Sequence, residues 1–394
     1  MYRRPQSTEL ERRLSEPRRF IQIVLGPRQV GKTTLVRQAL DGCEKPVMSI
    51  SADDLEMIGR EWLIEKWNRA RAVATASGSC VLSVDEIQRV PDWSAIVKRL
   101  WDEDSASRCR VYVVLTGSST TLIRKGMSES LAGRFEVLRA GHWSWPEMRD
   151  AFGVELDEYL IVGGYPGPMD FRSTPDRWRD YMRQSIIEST LALDVLSLER
   201  IDKPALLRNL FILGTRMSTQ IVSLQKLLGR LQDSGNAATI AQYLSLLSDS
   251  GLLTGLEKYT ATAARSRAAS PKLISTAPAL LSAILGLSGS TKSIDPTLRG
   301  QIVESAVGSH LLGLARGTTT SVKYWREGNV EVDFVLQSPR RRILIEVKSG
   351  DSRGAYRGTE QFRKMHGDAR LILVGDDGMP LDVFLGMTLE EILL

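Results

Sequence analysis

The chain has 394 residues, 42% of them hydrophobic and 25% charged, and its 52 Lys and Arg exceed its 47 Asp and Glu by five. That length calls for about two to four domains rather than one core. No apolar run reaches the roughly 18 residues of a membrane span, and three cysteines with three histidines show no zinc spacing.

The start, "MYRRPQSTELERRLSEPRRF", lacks the apolar stretch of a signal peptide. With the scattered cysteines Cys43, Cys80 and Cys109, the expected compartment is a reducing cytoplasm. A pI of 9.1 leans only weakly toward a polyanionic partner, so a nucleic-acid argument must rest on where the charges lie.

Residues 19 to about 140 alternate the short apolar runs "FIQIVLG", "PVMSIS", "CVLSVDE", "RVYVVLTGSS" and "FEVLRA" with amphipathic stretches. This rhythm predicts an α/β core with a parallel, doubly wound sheet over residues 1–150. Within it, "GPRQVGKTT" follows the first strand and opens a helix. Gly26, Gly31, Lys32 and Thr33 fit the phosphate-loop spacing, and Pro27, Arg28, Gln29, Val30 and Thr34 complete the segment that would wrap ATP. Glycines let backbone N–H groups approach the phosphates at a helix N-terminus. Lys32 then reaches the β- and γ-phosphates, and Thr33 binds Mg2+.

"CVLSVDEIQ" places Asp85 and Glu86 at the carboxyl end of an apolar strand, where ligands of open α/β sheets gather. Asp85 suits the magnesium shell, and Glu86 suits activation of the attacking water. "VYVVLTGSS" ends on Thr116, Ser118 and Ser119, hydroxyls placed to orient water or the γ-phosphate. Arg134, before the last strand, is set either to reach a neighbouring subunit's ATP or to make a surface ion pair.

Residues 151–205 turn helical. Residues 206–275 have the rhythm of a winged helix, with Asn236 or the serine before it, Ser234, as a helix start and Gly251 as its stop. The candidate reading helix, "AATIAQYLSLLSDSG", carries no positive charge, which argues against sequence-specific DNA reading. The loop after it brings Lys258, Arg265, Arg267 and Lys272, residues fit to touch phosphates or simply to face solvent.

In residues 290–394, "EVDFVLQSPRRRILIEVKSG" reads as two strands joined by the basic turn Arg340, Arg341 and Arg342. Alternation puts Glu331, Asp333 and Val335 on one face of the first strand, and Val332, Phe334 and Leu336 on the other. Pairing with the second strand would bring Asp333 to Glu346 and Lys348. Glu304 from the preceding helix would complete a divalent-metal shell, with Gln361 at a later polar position. Surface ion pairs are the competing reading of the same charges.

The motifs "GPRQVGKTT", "LSVDEIQ", "LTGSS" and "SLAGRFEVLRAGHWSWPEM" together resemble those of AAA-superfamily ATPases. With "YLIVGGYPG" and "EVDF…IEVK", nearly the whole chain is similar to prokaryotic ATP-binding proteins ending in domain-of-unknown-function family 4143. The resemblance implies an AAA-type core, a helical lid, a winged-helix-like middle and a restriction-endonuclease-like C-terminal α/β domain. It also implies a homo-oligomer, a hexameric ring being one form. The leading expectation is a Mg2+-dependent ATPase that remodels or processes DNA without sequence preference, branched or otherwise structured DNA included. An ATP-regulated nuclease and a nucleotide-gated switch for a protein partner are the rivals.

Overall fold

The structure is a computed structural model describing residues 1–53, 59–118, 127, 130–196, 201–231, 236–260, 262, 266, 269–348, 353–375 and 377–394. The chain divides into two compact units, Met1–Gly141 and His142–Leu394.

The first unit opens with α1 (Pro5–Ser15) and β1 (Ile21–Gly26), followed by α2 (Lys32–Asp41), β2 (Val47–Ser51) and α3 (Arg60–Ser77). It closes with β3 (Cys80–Asp85), α4 (Trp93–Ser107), β4 (Val111–Ser118) and β5 (Phe135–Arg139). The five strands form one sheet in the order β2-β3-β4-β1-β5, every pair parallel. Helices on both faces require apolar residues on both sides of the inner strands. Accordingly β1 is buried along its whole length, whereas the edge strand β2 is partly exposed. One face packs Ile23, Leu82 and Leu115 against Trp67, Trp93 and Leu100. Inserting β4 between β1 and β3 brings the carboxyl ends of three strands side by side, and the phosphate loop starts from the middle one's neighbour.

The second unit begins with α5 (Trp145–Phe152), α6 (Leu156–Val162) and α7 (Pro175–Tyr181). Ser144 and Glu147 close a reciprocal capping box at the start of α5. Then come α8 (Pro204–Arg216), α9 (Leu224–Leu231) and α10 (Ala237–Asp249), followed by the antiparallel pair β6 (Leu253–Leu256) and β7 (Lys272–Ser275). Asn236, one of the two residues expected to start it, caps α10 by accepting from the Thr239 amide at 2.8 Å.

After α11 (Pro278–Leu285), the long α12 (Pro296–Ala315) precedes β8 (Ser321–Glu327), β9 (Val330–Gln337) and β10 (Arg342–Lys348). Helix α13 (Arg353–His366) and β11 (Arg370–Gly375) complete a second sheet ordered β11-β10-β9-β8. Its β10–β11 pair is parallel and the other two are antiparallel.

Here the simple alternation expected for β9 fails. Lys323 pairs with Val335 but Trp325 pairs with Val332, so Tyr324 alone spans Asp333 and Phe334. This bulge reverses the parity of the strand beyond it. Val335 therefore joins Val332, Leu344 and Phe362 in one apolar cluster instead of sharing a face with Asp333. Phe334 packs against Gly308 of α12, where an added Cβ would lie 3.0 Å from its ring.

Candidate functional site

In the first unit, β1 ends on Gly26, which stands beside Ser118 of β4. A Cβ at Gly26 would meet the Ala140 carbonyl oxygen at 1.8 Å, so only glycine fits there. Gln29 and Gly31 both take left-handed backbone conformations, at φ 58° and 84°. These conformations flank Val30 and curl the loop so that successive N–H groups can point to one side, the geometry of an anion nest. Helix α2 starts at once on Lys32, Thr33 and Thr34. The Lys32 ammonium is buried and donates to the carbonyls of Gly26 at 3.1 Å and Pro27 at 2.8 Å.

Across the sheet, Thr33 Oγ1 donates to Asp85 Oδ2 at 2.7 Å. Asp85 Oδ1 accepts from the Glu86 amide at 3.1 Å and from the Thr116 hydroxyl. Two hard oxygen donors from the loop and the strand end are thus already together, and they fit Mg2+. Glu86 itself has φ 51°, an uncommon conformation for a non-glycine residue, of the kind that clusters at functional sites. Burial raises its pKa above the ordinary value, with Lys32 and Arg28 pulling it back. Gln88 donates to Glu86 Oε2 and holds the carboxylate. Ser118 is buried at the end of β4, while Ser119 lies outside the described residues.

Two contributors escape a motif search. Gln88 stands only two residues past Glu86, inside the quoted strand-end segment. Arg4 is 3% exposed and donates to the carbonyls of Val30 at 3.4 Å and Gly141 at 3.2 Å, bracing the loop from the start of the chain. Nothing near Arg4 in the sequence signals that role.

Arg134 sits at the amino end of β5, where its carbonyl accepts from the Ile21 amide at 2.8 Å. That is the sheet edge opposite its own phosphate loop. Its guanidinium forks onto Asp102 of α4, at 2.7 and 3.0 Å. Within one chain Arg134 is therefore an ion-pair residue, and any role at ATP is one in a neighbouring subunit after Asp102 has been released.

In the second unit the charges at Glu304, Asp333, Glu346 and Lys348 do come together, but with a lysine among them. Lys272, expected on a loop facing DNA phosphates, is instead the first residue of β7 and 1% exposed. Its Nζ lies 2.7 Å from Glu304, 3.0 Å from Glu331 and 3.3 Å from Asp333. Burial alone would lower its pKa, yet Asp333, Glu304 and Glu331 outweigh burial and hold it well above the ordinary value. Asp333 Oδ2 accepts from the Val347 amide at 2.9 Å, and Lys348 Nζ stands 3.3 Å from Glu346.

Burial and Asp333 push Glu304 to about 7 and Glu346 to about 8. An ammonium fills the space between Glu304 and Asp333, so in this arrangement Glu304, Asp333 and Glu346 do not fit a metal shell. Among the described residues no group of three His, Cys, Asp or Glu side chains is arranged to hold a metal ion. Gln361 is half-buried on α13, beside the buried Phe362.

The remaining expected phosphate contacts are largely engaged elsewhere. Lys258 pairs with Glu327 at 3.4 Å. Arg341 donates to the Leu393 carbonyl at 2.6 Å, and Arg342 to the His366 carbonyl. Arg340 is exposed, and Arg265 and Arg267 lie outside the described residues.

A phosphate loop after the first strand, an acid pair after the third and a parallel sheet with β4 between them define a P-loop ATPase core. Residues 18–149 match the family described as AAA domain, and residues 154–291 and 299–385 match two domains of unknown function, DUF8612 and DUF4143. The chain thus joins an N-terminal AAA domain to a C-terminal DUF4143 domain.

An uncharacterized protein of Mycobacterium tuberculosis is 26% identical over 99% of this chain and 84% of its own length. One from Methanocaldococcus jannaschii is 22% identical over 89% of this chain and 80% of its own. Among solved structures, the Aeropyrum pernix Orc1 protein in complex with DNA is 13% identical, with TM-score 0.33, over 71% of this chain and 92% of that one. The Thermotoga maritima RuvB Holliday junction branch migration motor is 17% identical, with TM-score 0.29, over 63% of this chain and 89% of that one.

Proposed function

We propose that the protein is a Mg2+-dependent ATP hydrolase. The observation that carries this is the bonded set Thr33–Asp85–Thr116, with Glu86 beside it and Lys32 at the loop. Lys32 would exchange its two carbonyl partners for phosphate oxygens. Mg2+, held through Thr33 and Asp85, would neutralise charge on the phosphates. Glu86, with its pKa raised by burial, is suited to accept the proton of the attacking water. Lys32→Ala should lose ATP binding, whereas Glu86→Gln should bind ATP and turn it over at least tenfold more slowly. Wild-type turnover by Glu86→Gln would overturn the assignment of the base.

We further propose that hydrolysis drives action on DNA, contacted without sequence preference, in an oligomer where Arg134 serves a neighbour's ATP. The DNA reading is supported by the winged-helix-like order of α8, α9, α10, β6 and β7, and by the basic balance of the chain. The absence of any Lys or Arg from α10 supports nonspecific contact. The phosphate contacts would come from the loop bearing Arg265 and Arg267 and from the basic turn Arg340, Arg341 and Arg342. ATPase rates with duplex, single-stranded, forked and four-way DNA, each at several salt concentrations, test it. No stimulation and no binding at low salt would favour a nucleotide-gated switch acting on a protein partner.

A further inference from the structure

Lys272 is fixed by more than its ion pairs. Its backbone pairs with Leu256 across the β6–β7 ladder and bridges Ile221 on its other side. The side chain then runs beneath the second sheet, where its Nζ lies 5.2 Å from the centre of the Phe334 ring. The bulge at Asp333–Phe334 is what turns the Asp333 carboxylate and the Phe334 ring to the same side. Three acids from two elements, Glu304 of α12 and Glu331 and Asp333 of β9, close on a single ammonium carried by a third element. A divalent ion shared by Glu304 and Asp333 would have to displace the ammonium, whose backbone is held by strand pairing on both sides.

The geometry points to Lys272 as the permanent cation of this carboxylate cluster, standing where a divalent metal was expected and locking β7 to α12 and β9. The C-terminal domain accordingly does its work without a metal ion at Glu304, Asp333 and Glu346, and not as a metal-dependent nuclease. This holds whether or not the first unit hydrolyses ATP.

The test uses the full chain, with Mn2+ as the probe. Bound Mn2+ counted by electron paramagnetic resonance should be equal in the wild type and in Asp333→Asn with Glu346→Gln, because the ions that bind do so at the phosphate loop. One additional saturable ion in the wild type overturns the proposal. In thermal unfolding, Lys272→Met leaves buried carboxylates without their cation and should lower the melting temperature by roughly 6–20 °C. An unchanged melting temperature in Lys272→Met overturns the lock. Should Lys272→Met not fold at all, the loss itself agrees with the lock, and Lys272→Met with Glu331→Gln should recover folded protein by removing one of the stranded charges. Failure of that recovery, with Lys272→Met unfolded, overturns the charge-balance account.

Discussion

Glu86 presents a choice between stability and chemistry that a single codon can expose. Its backbone sits at φ 51°, a conformation that costs an L-residue about 1–2 kcal/mol. Glycine relieves that cost but loses about 0.5–1 kcal/mol through the greater freedom of the unfolded chain. The net expectation for Glu86→Gly against Glu86→Ala is a gain of about 0.5–1 kcal/mol. For a unit of this size that is a rise of roughly 2–6 °C in melting temperature. Both variants lose the carboxylate, so its desolvation and its bond from Gln88 cancel in the comparison.

Thermal unfolding of Glu86→Gly and Glu86→Ala, followed by tryptophan fluorescence because Trp67 and Trp93 are buried in this unit's core, gives the difference directly. ATP turnover should be lost in both. A Glu86→Gly protein that melts below Glu86→Ala would show that the left-handed conformation stores no strain, and that glutamate is held there at no cost.

Asp85→Asn keeps the shape of the side chain but sets an amide N–H2 against one of the three donors that Asp85 now satisfies. It should cost about 1–3 kcal/mol in unfolding without Mg2+, and a melting curve identical to wild type would refute the bonding scheme. Glu346, held at about 8 against an ordinary 4.5, keeps its proton in the fold where the unfolded chain has lost it. Its stabilising contribution is complete below pH 4.5 and is lost as pH rises through 8, so melting temperature should fall from pH 5 to 9 and fall less in Glu346→Gln.

His310 has the opposite sign. Burial lowers it to about 4 from 6.5, so its contribution is present above pH 6.5 and is lost as pH falls through 4. Replacing it by Asn should flatten the acid limb of the stability curve. Arg134→Ala mixed with Lys32→Ala should regain some ATPase activity at mixed interfaces, and a strictly monomeric active enzyme would rule out the role in trans.

The first unit was legible because its chemistry is local in the chain. Lys32 bonds to Gly26 and Pro27, six and five residues away, and the loop's glycines are dictated by backbone geometry that the spacing displays. The acid pair was readable from its place at the end of an apolar run, a position the parallel sheet fixes relative to the loop. What the pattern left out was support from afar. Arg4 reaches Val30 across 26 residues and Gly141 across 137, and no periodicity encodes such a contact. Arg134 was correctly placed before the last strand, but Asp102 could not be named as its partner, since α4 approaches β5 only in the folded sheet.

In the second unit the period-two reading brought the right acids into view and then assigned their faces wrongly after Asp333. Alternation assumes an unbroken ladder, and one unmatched residue at the bulge is enough to turn Val335 toward Phe362 and leave Asp333 with Phe334 on the other side. The larger omission was the cation. Lys272 meets Glu331 and Asp333 across 59 and 61 residues, and in the sequence it sits at the end of a basic, small-residue stretch that looks solvent-facing. Charge balance is the constraint that points to it: acids gathered this closely with only Lys348 beside them are held either by protonation, as at Glu346, or by a further positive charge. A metal supplies that charge from solution and a lysine supplies it from the chain, and the two leave the same acidic signature in the sequence. They differ in what happens when the cation is removed, since a chelator withdraws a metal while only mutation removes Lys272.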